Sequence, residues 1–295
     1  MKNNKLRKKW NWWTLFFVAP FLIIFITFFL APAILGFYAS FTEWDIYSPP
    51  VWVGLDNFKT ILFDTKSIWH TQFTQGFGHT FLFALITVPF CIIIPLFLAV
   101  LLMNKPKMMG FFQAVLYMPS LFAISAVMII WAFLLSVSYG PQSLLHLNIF
   151  FTGEQPWAWI SLALVTVWWT MGGNLIIYVA ALNGVNPEMM EAAEIDGANK
   201  MRKLFSIQLP SIRDQLLFTT VMTTIAQLNV YGQPLMLTNG GPNGSTSVLL
   251  MYIQKAAFGA GIPQAGMASA MAMLLGLGIM LVSVFQFIAV RKMNK

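Results

Sequence analysis

Charged side chains are scarce in this chain. Its 295 residues include 17 Lys and Arg and 10 Asp and Glu, 9% in all, where an ordinary soluble domain carries about 25%. So few charges cannot cover a water-soluble fold, and that class is excluded. Cysteine is nearly missing: Cys91 stands alone, so no internal disulfide can form. Its apolar flanks mark a buried, inert thiol. Histidine is limited to His70, His79 and His146, and no Cys/His spacing fits a metal site. A Gly-rich phosphate loop ending in Lys and Ser or Thr is absent, so the chain has no nucleotide site of that type. The stretches 10–42, 67–104, 108–153, 155–187, 215–254 and 256–290 contain no Asp, Glu, Lys or Arg, and His79 is the only histidine in the expected spans, at the edge of one. That removes the intramembrane relay that proton pumps and ion-coupled carriers generally use, and energy for transport would have to come from elsewhere.

What is present is apolar length. Runs near 13–38, 79–103, 111–137, 157–182, 214–237 and 265–290 each reach the roughly 20 residues a spanning helix needs. The reading is an all-α integral membrane protein with six transmembrane helices. Tyr139-Gly140-Pro141-Gln142 and the stretch 238–244 carry turn chemistry and separate the runs. The first run is longer than the roughly 7–15 residues of a cleaved signal core and reads as a retained span. The expected organisation is a tail 1–12, span 13–38, an outer loop 39–78, a core 79–290 containing a cytoplasmic loop 183–213, and a tail 291–295.

Orientation follows from the basic residues. The side holding both termini carries fourteen of the seventeen Lys and Arg; the other carries only Lys59, Lys66 and Lys255. The positive-inside rule places both termini in the cytoplasm. The net charge of +7 is therefore a topology signal, and no nucleic-acid partner is inferred. Trp10, Trp12 and Trp13 on one side, and Trp44, Tyr47, Trp52, Trp157 and Trp159 on the other, read as interface anchors against membrane lipid. Asp56 or Asn57 is expected to cap a short helix over 58–62, and 144–151 to lie as a helix in the interface. Gly172-Gly173 and Gly276/Gly278 read as close helix crossings.

The remaining polar groups fall in two spans. Asn174 and Tyr178 lie four apart, on one face of the fourth. Gln227, Asn229, Tyr231 and Gln233 lie in the fifth, behind Thr219, Thr220, Thr223 and Thr224. Gln227 and Tyr231, again four apart, are expected to share a face. Amides in hydrocarbon are costly unless paired or facing water. Two readings stand side by side: a passage lined for a neutral, hydroxyl-rich solute, or hydrogen-bonded glue between helices.

The loop after the fourth span is the most informative segment. Asn186 suits an N-cap and Pro187 the first helical position. Glu188 and Glu191 sit where a helix dipole favours acids. Gly197 is expected to end the helix with positive φ. Asp196 or Gly197 should then open a second helix that Pro210 limits. Ala192 and Ala193 give the first helix a small-residue face that a partner's backbone can approach closely. It looks like a docking element for a soluble protein. The competing reading is an amphipathic loop resting on headgroups, which the basic half 200–203 fits and the acidic half opposes.

These residues resemble the signature of permease subunits of binding-protein-dependent ABC importers: Glu191-Ala192-Ala193, then Gly197, then Ile207, then Leu209-Pro210. Asp196, Phe205 and 237–242 are similar to the carbohydrate subgroup. Glu43-Trp44-Asp45 and 54–58 resemble permeases of the maltose and glycerol-3-phosphate type. The resemblance implies the type I permease fold and a coupling helix seated in a cytoplasmic ATPase. It also implies a second permease subunit, expected as a heterodimer, two ATPase subunits that bind the ATP, and an extracytoplasmic binding protein delivering the solute. The chain itself is then not an enzyme and holds no cofactor; its place is the bacterial plasma membrane. The substrate reading is a sugar or oligosaccharide, with a polyol or glycerol phosphate as alternative. The extra N-terminal spans and large outer insertion of the maltose member are missing, so its substrate contacts do not transfer by position. The rival from another class, a membrane-embedded enzyme, would have only Glu191, Glu194 and Asp196 to work with.

Overall fold

The computed structural model describes residues 12–104, 106–144 and 148–293. The basic tail Lys2, Lys5, Arg7, Lys8 and Lys9, with Trp10, Lys105, His146 and Lys295, lies outside the described residues. The first span is a helix α1 (Trp12–Phe25), a π-helical turn (Ile26–Leu30) and a helix α2 (Ala31–Ala39). A two-stranded ribbon follows, β1 (Thr42–Glu43) antiparallel to β2 (Val51–Trp52), with Thr42 opposite Trp52. It is the one departure from all-α among the described residues. Next come α3 (Asp56–Phe63) and α4 (Ile68–Leu102), a 35-residue helix that starts well before the expected residue 79.

Asn57 does not cap α3. It is buried, and its Nδ2 donates to the carbonyls of Ser40 (3.0 Å) and Thr42 (2.9 Å). Gly266 closes the same corner: a Cβ there would lie 1.9 Å from the Thr42 carbonyl. The segment 54–58 thus ties the exit of the first span to the start of the last.

The third expected span is bent. Helices α5 (Met109–Tyr117) and α6 (Ile124–Leu134) meet at 99° across a 3-10 turn, Met118–Leu121. Pro119 in that turn has no N–H to continue the ladder. The Phe122 carbonyl freed by the bend accepts from Trp169 Nε1 at 3.1 Å. Beyond α7 (Pro141–Leu144), residues 148–150 are not helical, so the interfacial helix expected over 144–151 is missing from its described part. The fourth span, α8 (Trp157–Asn183), is unbroken. Gly172 crosses α5 closely, with a Cβ there 2.9 Å from the Tyr117 Cα.

After α8 come α9 (Pro187–Ile195), α10 (Lys200–Lys203), a π-helical turn (Leu204–Gln208), α11 (Leu209–Ser211) and α12 (Arg213–Leu228). The expected span 214–237 is not one helix. Asn229 closes α12, with its Nδ2 donating to the Ile225 carbonyl at 2.8 Å. Tyr231 (φ −146°, ψ −57°) then leads into α13 (Gly232–Leu237). Helices α14 (Leu249–Phe258) and α15 (Ala265–Met293) complete the chain. Among the described residues, four helices are long and apolar enough to cross a membrane, and the bent α5–α6 pair makes a fifth if counted as one. The expected fifth span, 214–237, is divided at 229–231 into α12 and α13, and neither half reaches spanning length on its own.

Helices α4 and α8 form the spine. Toward the ribbon end, Phe83, Leu162 and Val165 pack on Val127, Met128 and Val230. Toward the α9 end, Ala99, Leu102, Leu175, Leu182 and Ile212 form a second core. Burial of such residues contributes about 25 cal/mol per Å² against water, but in a bilayer this packing acts through close contact and hydrogen bonds instead.

Candidate functional site

Two polar constructions stand out. The first is the arm α9–α10. Asn186 Oδ1 accepts from Glu188 N at 2.9 Å, and Pro187 occupies the first turn. At the other end Gly197 has φ +74°. Its N–H donates to the Glu194 carbonyl (3.0 Å) and that of Ala198 to Ala193 (2.8 Å), the paired bonds of a left-handed helix stop. A Cβ on Gly197 would meet nothing within 4 Å, so any cost of a side chain there is conformational. The second helix opens at Asn199, two or three residues beyond the expected Asp196 or Gly197, and Asn199 Oδ1 accepts from Arg202 N at 2.8 Å. Pro210 does not limit it. It sits in the first turn of α11, where its missing N–H costs little, and the helical path runs on into α12.

No residue of α9 is buried. Glu191, Ala192 and Asp196 are exposed and Ala193 is half-buried; Ile195 is 88% exposed. Ile207 and Leu209 are half-buried against the bundle and Pro210 is exposed. The arm is braced from behind by an ion pair of Lys203 with Glu194. The hydrogen bond from Lys203, then its charge, lowers the Glu194 carboxyl below its ordinary range. The arm thus presents an exposed, firmly capped helix with Ile195 outermost.

The second construction is a polar seam where α4, α8 and α12 meet. Pro95 lies inside α4, so the Cys91 carbonyl, four residues back, has lost its helical donor. Asn174 supplies one: its Nδ2 donates to that carbonyl at 2.9 Å and to Thr223 Oγ1 at 3.0 Å. One turn on, Tyr178, fully buried, shares a 2.7 Å hydrogen bond with Thr219. Thr219 also donates to the Gln215 carbonyl (2.9 Å), so the phenol is the donor of the pair. Asn174 and Tyr178 are thus engaged with neighbouring helices.

Gln227 differs. It is 4% exposed, its Oε1 has no partner, and its Nε2 reaches only Cys91 Sγ at 4.0 Å. The break at Asn229 separates it from Tyr231, so the two do not share a helical face. Tyr231 is half-buried, Asn229 exposed and Gln233 buried. Gln286 of α15 was not singled out from the sequence. Its Nε2 donates to Thr224 Oγ1 (2.8 Å) and its Oε1 is buried without a partner. With Thr224 and Leu228 it borders a cavity of about 240 Å³ against α4. A lone amide in an otherwise apolar span was the available signal. An exposed strip along α12 (Gln215, Phe218, Met222, Ala226 and Asn229) runs from the break to a cavity of about 620 Å³ near Asn186 and Ser211.

Residues 68–295 match the family model of the binding-protein-dependent transport system inner membrane component. The chain belongs to that family. It is a transport permease, a multi-pass protein of the inner membrane, and the family is one of transporters, not enzymes. The permease is 30% identical, over 97% of its own length and 93% of the relative's, to the probable ABC transporter permease protein YesP of Bacillus subtilis. It is 29% identical, over 99% and 98%, to the probable starch degradation products transport system permease protein AmyD of Thermoanaerobacterium thermosulfurigenes. In fold it is similar to a chain of a bacterial ABC transporter involved in import of the acidic polysaccharide alginate: TM-score 0.82, 96% of each chain covered, 23% identity. The permease therefore has the ABC importer permease fold.

Proposed function

We propose that the permease is the membrane subunit of an ATP-driven importer for an uncharged sugar or oligosaccharide. It pairs with a second, different permease subunit and receives solute from an extracytoplasmic binding protein. Two cytoplasmic ATPase subunits bind the ATP and dock on α9. Both termini lie in the cytoplasm of a bacterial cell. The observation that carries the reading is α9 itself: an exposed helix with Glu191 and Ala192 on view and Ala193 half-buried beside them, capped at both ends and holding Asp196 and Gly197 at its stop. The starch-product relative supports a carbohydrate. The seam supports an uncharged one, because 215–237 contains amides, threonines and a tyrosine but no charge. Gln227 and Asn229, with Tyr231 and Gln233 beyond the break, border the passage; Asn174 and Tyr178 hold the helices that form it.

Two variants test the docking. Gly197→Val forces a β-branched residue into a left-handed conformation, which costs roughly 1–2 kcal/mol and turns α10 away from α9. Ala193→Trp overfills the contact. Both should insert and fold normally, fail to retain the ATPase in pull-down, and lose stimulation of ATP hydrolysis by solute-loaded binding protein. Normal pull-down with normal stimulation in both variants would remove the main support for the proposal.

A further inference from the structure

The basic half of the arm is not used by the docking surface, and behind it lies a cavity of about 460 Å³. Its floor is apolar: Val100 and Met103 from the end of α4, Met201 and Leu204 from the arm, and Met190 from α9. Its polar wall is Lys200 and Lys203 with Asn104, Gln208 and Glu194. Glu194 neutralises Lys203. Lys200 has no carboxylate partner among the described residues; its Nζ reaches Asn104 Oδ1 at 3.4 Å. The wall thus keeps one uncompensated cation beside amide donors, over a floor continuous with a membrane span. Met190 and Glu194 lie four apart on the face of α9 turned to the cavity, while Glu191 and Ile195 face away. With nothing of α9 buried, whatever fills this space supports the helix from behind.

We propose that the cavity takes an anionic phospholipid of the inner leaflet. Its phosphate meets Lys200, Asn104 and Gln208, and the glycerol end of its chains covers Met103 and Leu204. Basic pockets at helix ends on the cytoplasmic side bind such headgroups. The occupant is a lipid, since a free phosphate would leave the apolar floor uncovered. The inference rests on the cytoplasmic placement of α9 proposed above. Its consequence is regulatory: the lipid props the docking helix and raises coupling.

The test uses the complete transporter, with its partner subunits, in nanodiscs of phosphatidylcholine alone or mixed with phosphatidylglycerol. Native mass spectrometry reads retained phosphatidylglycerol, and binding-protein-stimulated ATP hydrolysis reads coupling. Lys200→Gln should weaken retention about fivefold, the worth of one basic residue at an anionic surface. Met103→Trp, which fills the floor without touching charge, should also lower it. Stimulation should be higher with phosphatidylglycerol in wild type and indifferent to it in both variants, with ATPase pull-down unchanged throughout. Equal retention by wild type and variants, or equal stimulation in both bilayers, would overturn the proposal. So would recovery of stimulation in phosphatidylcholine discs on adding inorganic phosphate. None of these results would touch the docking proposal, which stands or falls on the pull-down.

Discussion

The seam between α4, α8 and α12 and the arm at α9 use the same residue types to opposite ends. Asn174 is spent inward, on a carbonyl that Pro95 left without a donor. Asn186 and Asn199 are spent locally, on their own helix ends, so that the faces between them stay free. The seam is satisfied at Asn174, Tyr178 and Thr219, leaves Gln227 and Gln286 Oε1 without partners, and exposes little. The arm buries nothing and exposes its apolar residues. The difference teaches where polar chemistry is structural and where it is offered to a partner. A polar group with all its bonds made holds the molecule together; a face with none made is the one the docking proposal uses.

The sharpest way to break this contrast is Asn174→Leu. It leaves the Cys91 carbonyl without a donor in a buried site and should cost about 1–3 kcal/mol, read as a lower unfolding midpoint in detergent. Pro95→Ala in the same background restores a backbone N–H and should recover part of the loss. No recovery would mean that Asn174 does not serve that carbonyl. On the arm, by contrast, Ile195→Ser should stay within about 0.5 kcal/mol of wild type, as surface changes do, yet weaken ATPase pull-down.

Gln227→Leu sits between the two. It removes a buried acceptor with no partner, so the midpoint should hold or rise, while uptake of the transported solute falls. Unchanged uptake would assign the amide to packing. Tyr178→Phe should cost less, about 0.6 kcal/mol, the average for a hydrogen bond between membrane helices, with uptake retained. The smallest effect belongs to Glu194. Its carboxyl is held below the ordinary range by Lys203, so the pair's contribution is present above the unfolded-state value and is lost as pH falls through the lowered one. Stimulated ATP hydrolysis should therefore show no dependence on this group across neutral pH. Glu194→Gln should have a slight effect there and none in acid.

Much of this was legible in the sequence. The first, second, fourth and last spans announce themselves by length and apolarity. The caps Asn186, Pro187 and Gly197 fixed α9 because capping is local chemistry. The breaks were not legible. Pro20, Pro89 and Pro95 lie inside helices that continue, whereas Pro119 sits at a 99° bend. The residue is the same and the outcome differs; at Pro95 the lost bond is replaced by Asn174, across 83 positions of sequence. No local pattern reports that. Gln286 was passed over for a similar reason: one amide in an apolar span gives no periodicity, and only packing shows it reaching Thr224. The shared face expected for Gln227 and Tyr231 assumed an unbroken helix, which the turn at Asn229 denies.

The buried Ile212 has a mechanical consequence. It is 1% exposed and stands at the one-residue junction of α11 and α12, anchored in the core, so it can serve as a fulcrum. On one side lies a stop of few residues between α9 and α10, with little slack to absorb a push. On the other lies α12, a 16-residue lever about 24 Å long at 1.5 Å per residue. A tilt of about 10° applied at the fulcrum displaces the far end of such a rod by about 4 Å, and that far end is Asn229, where the helix gives way. Under the docking proposed for α9, the far end would move by a distance comparable with the thickness of a sugar ring.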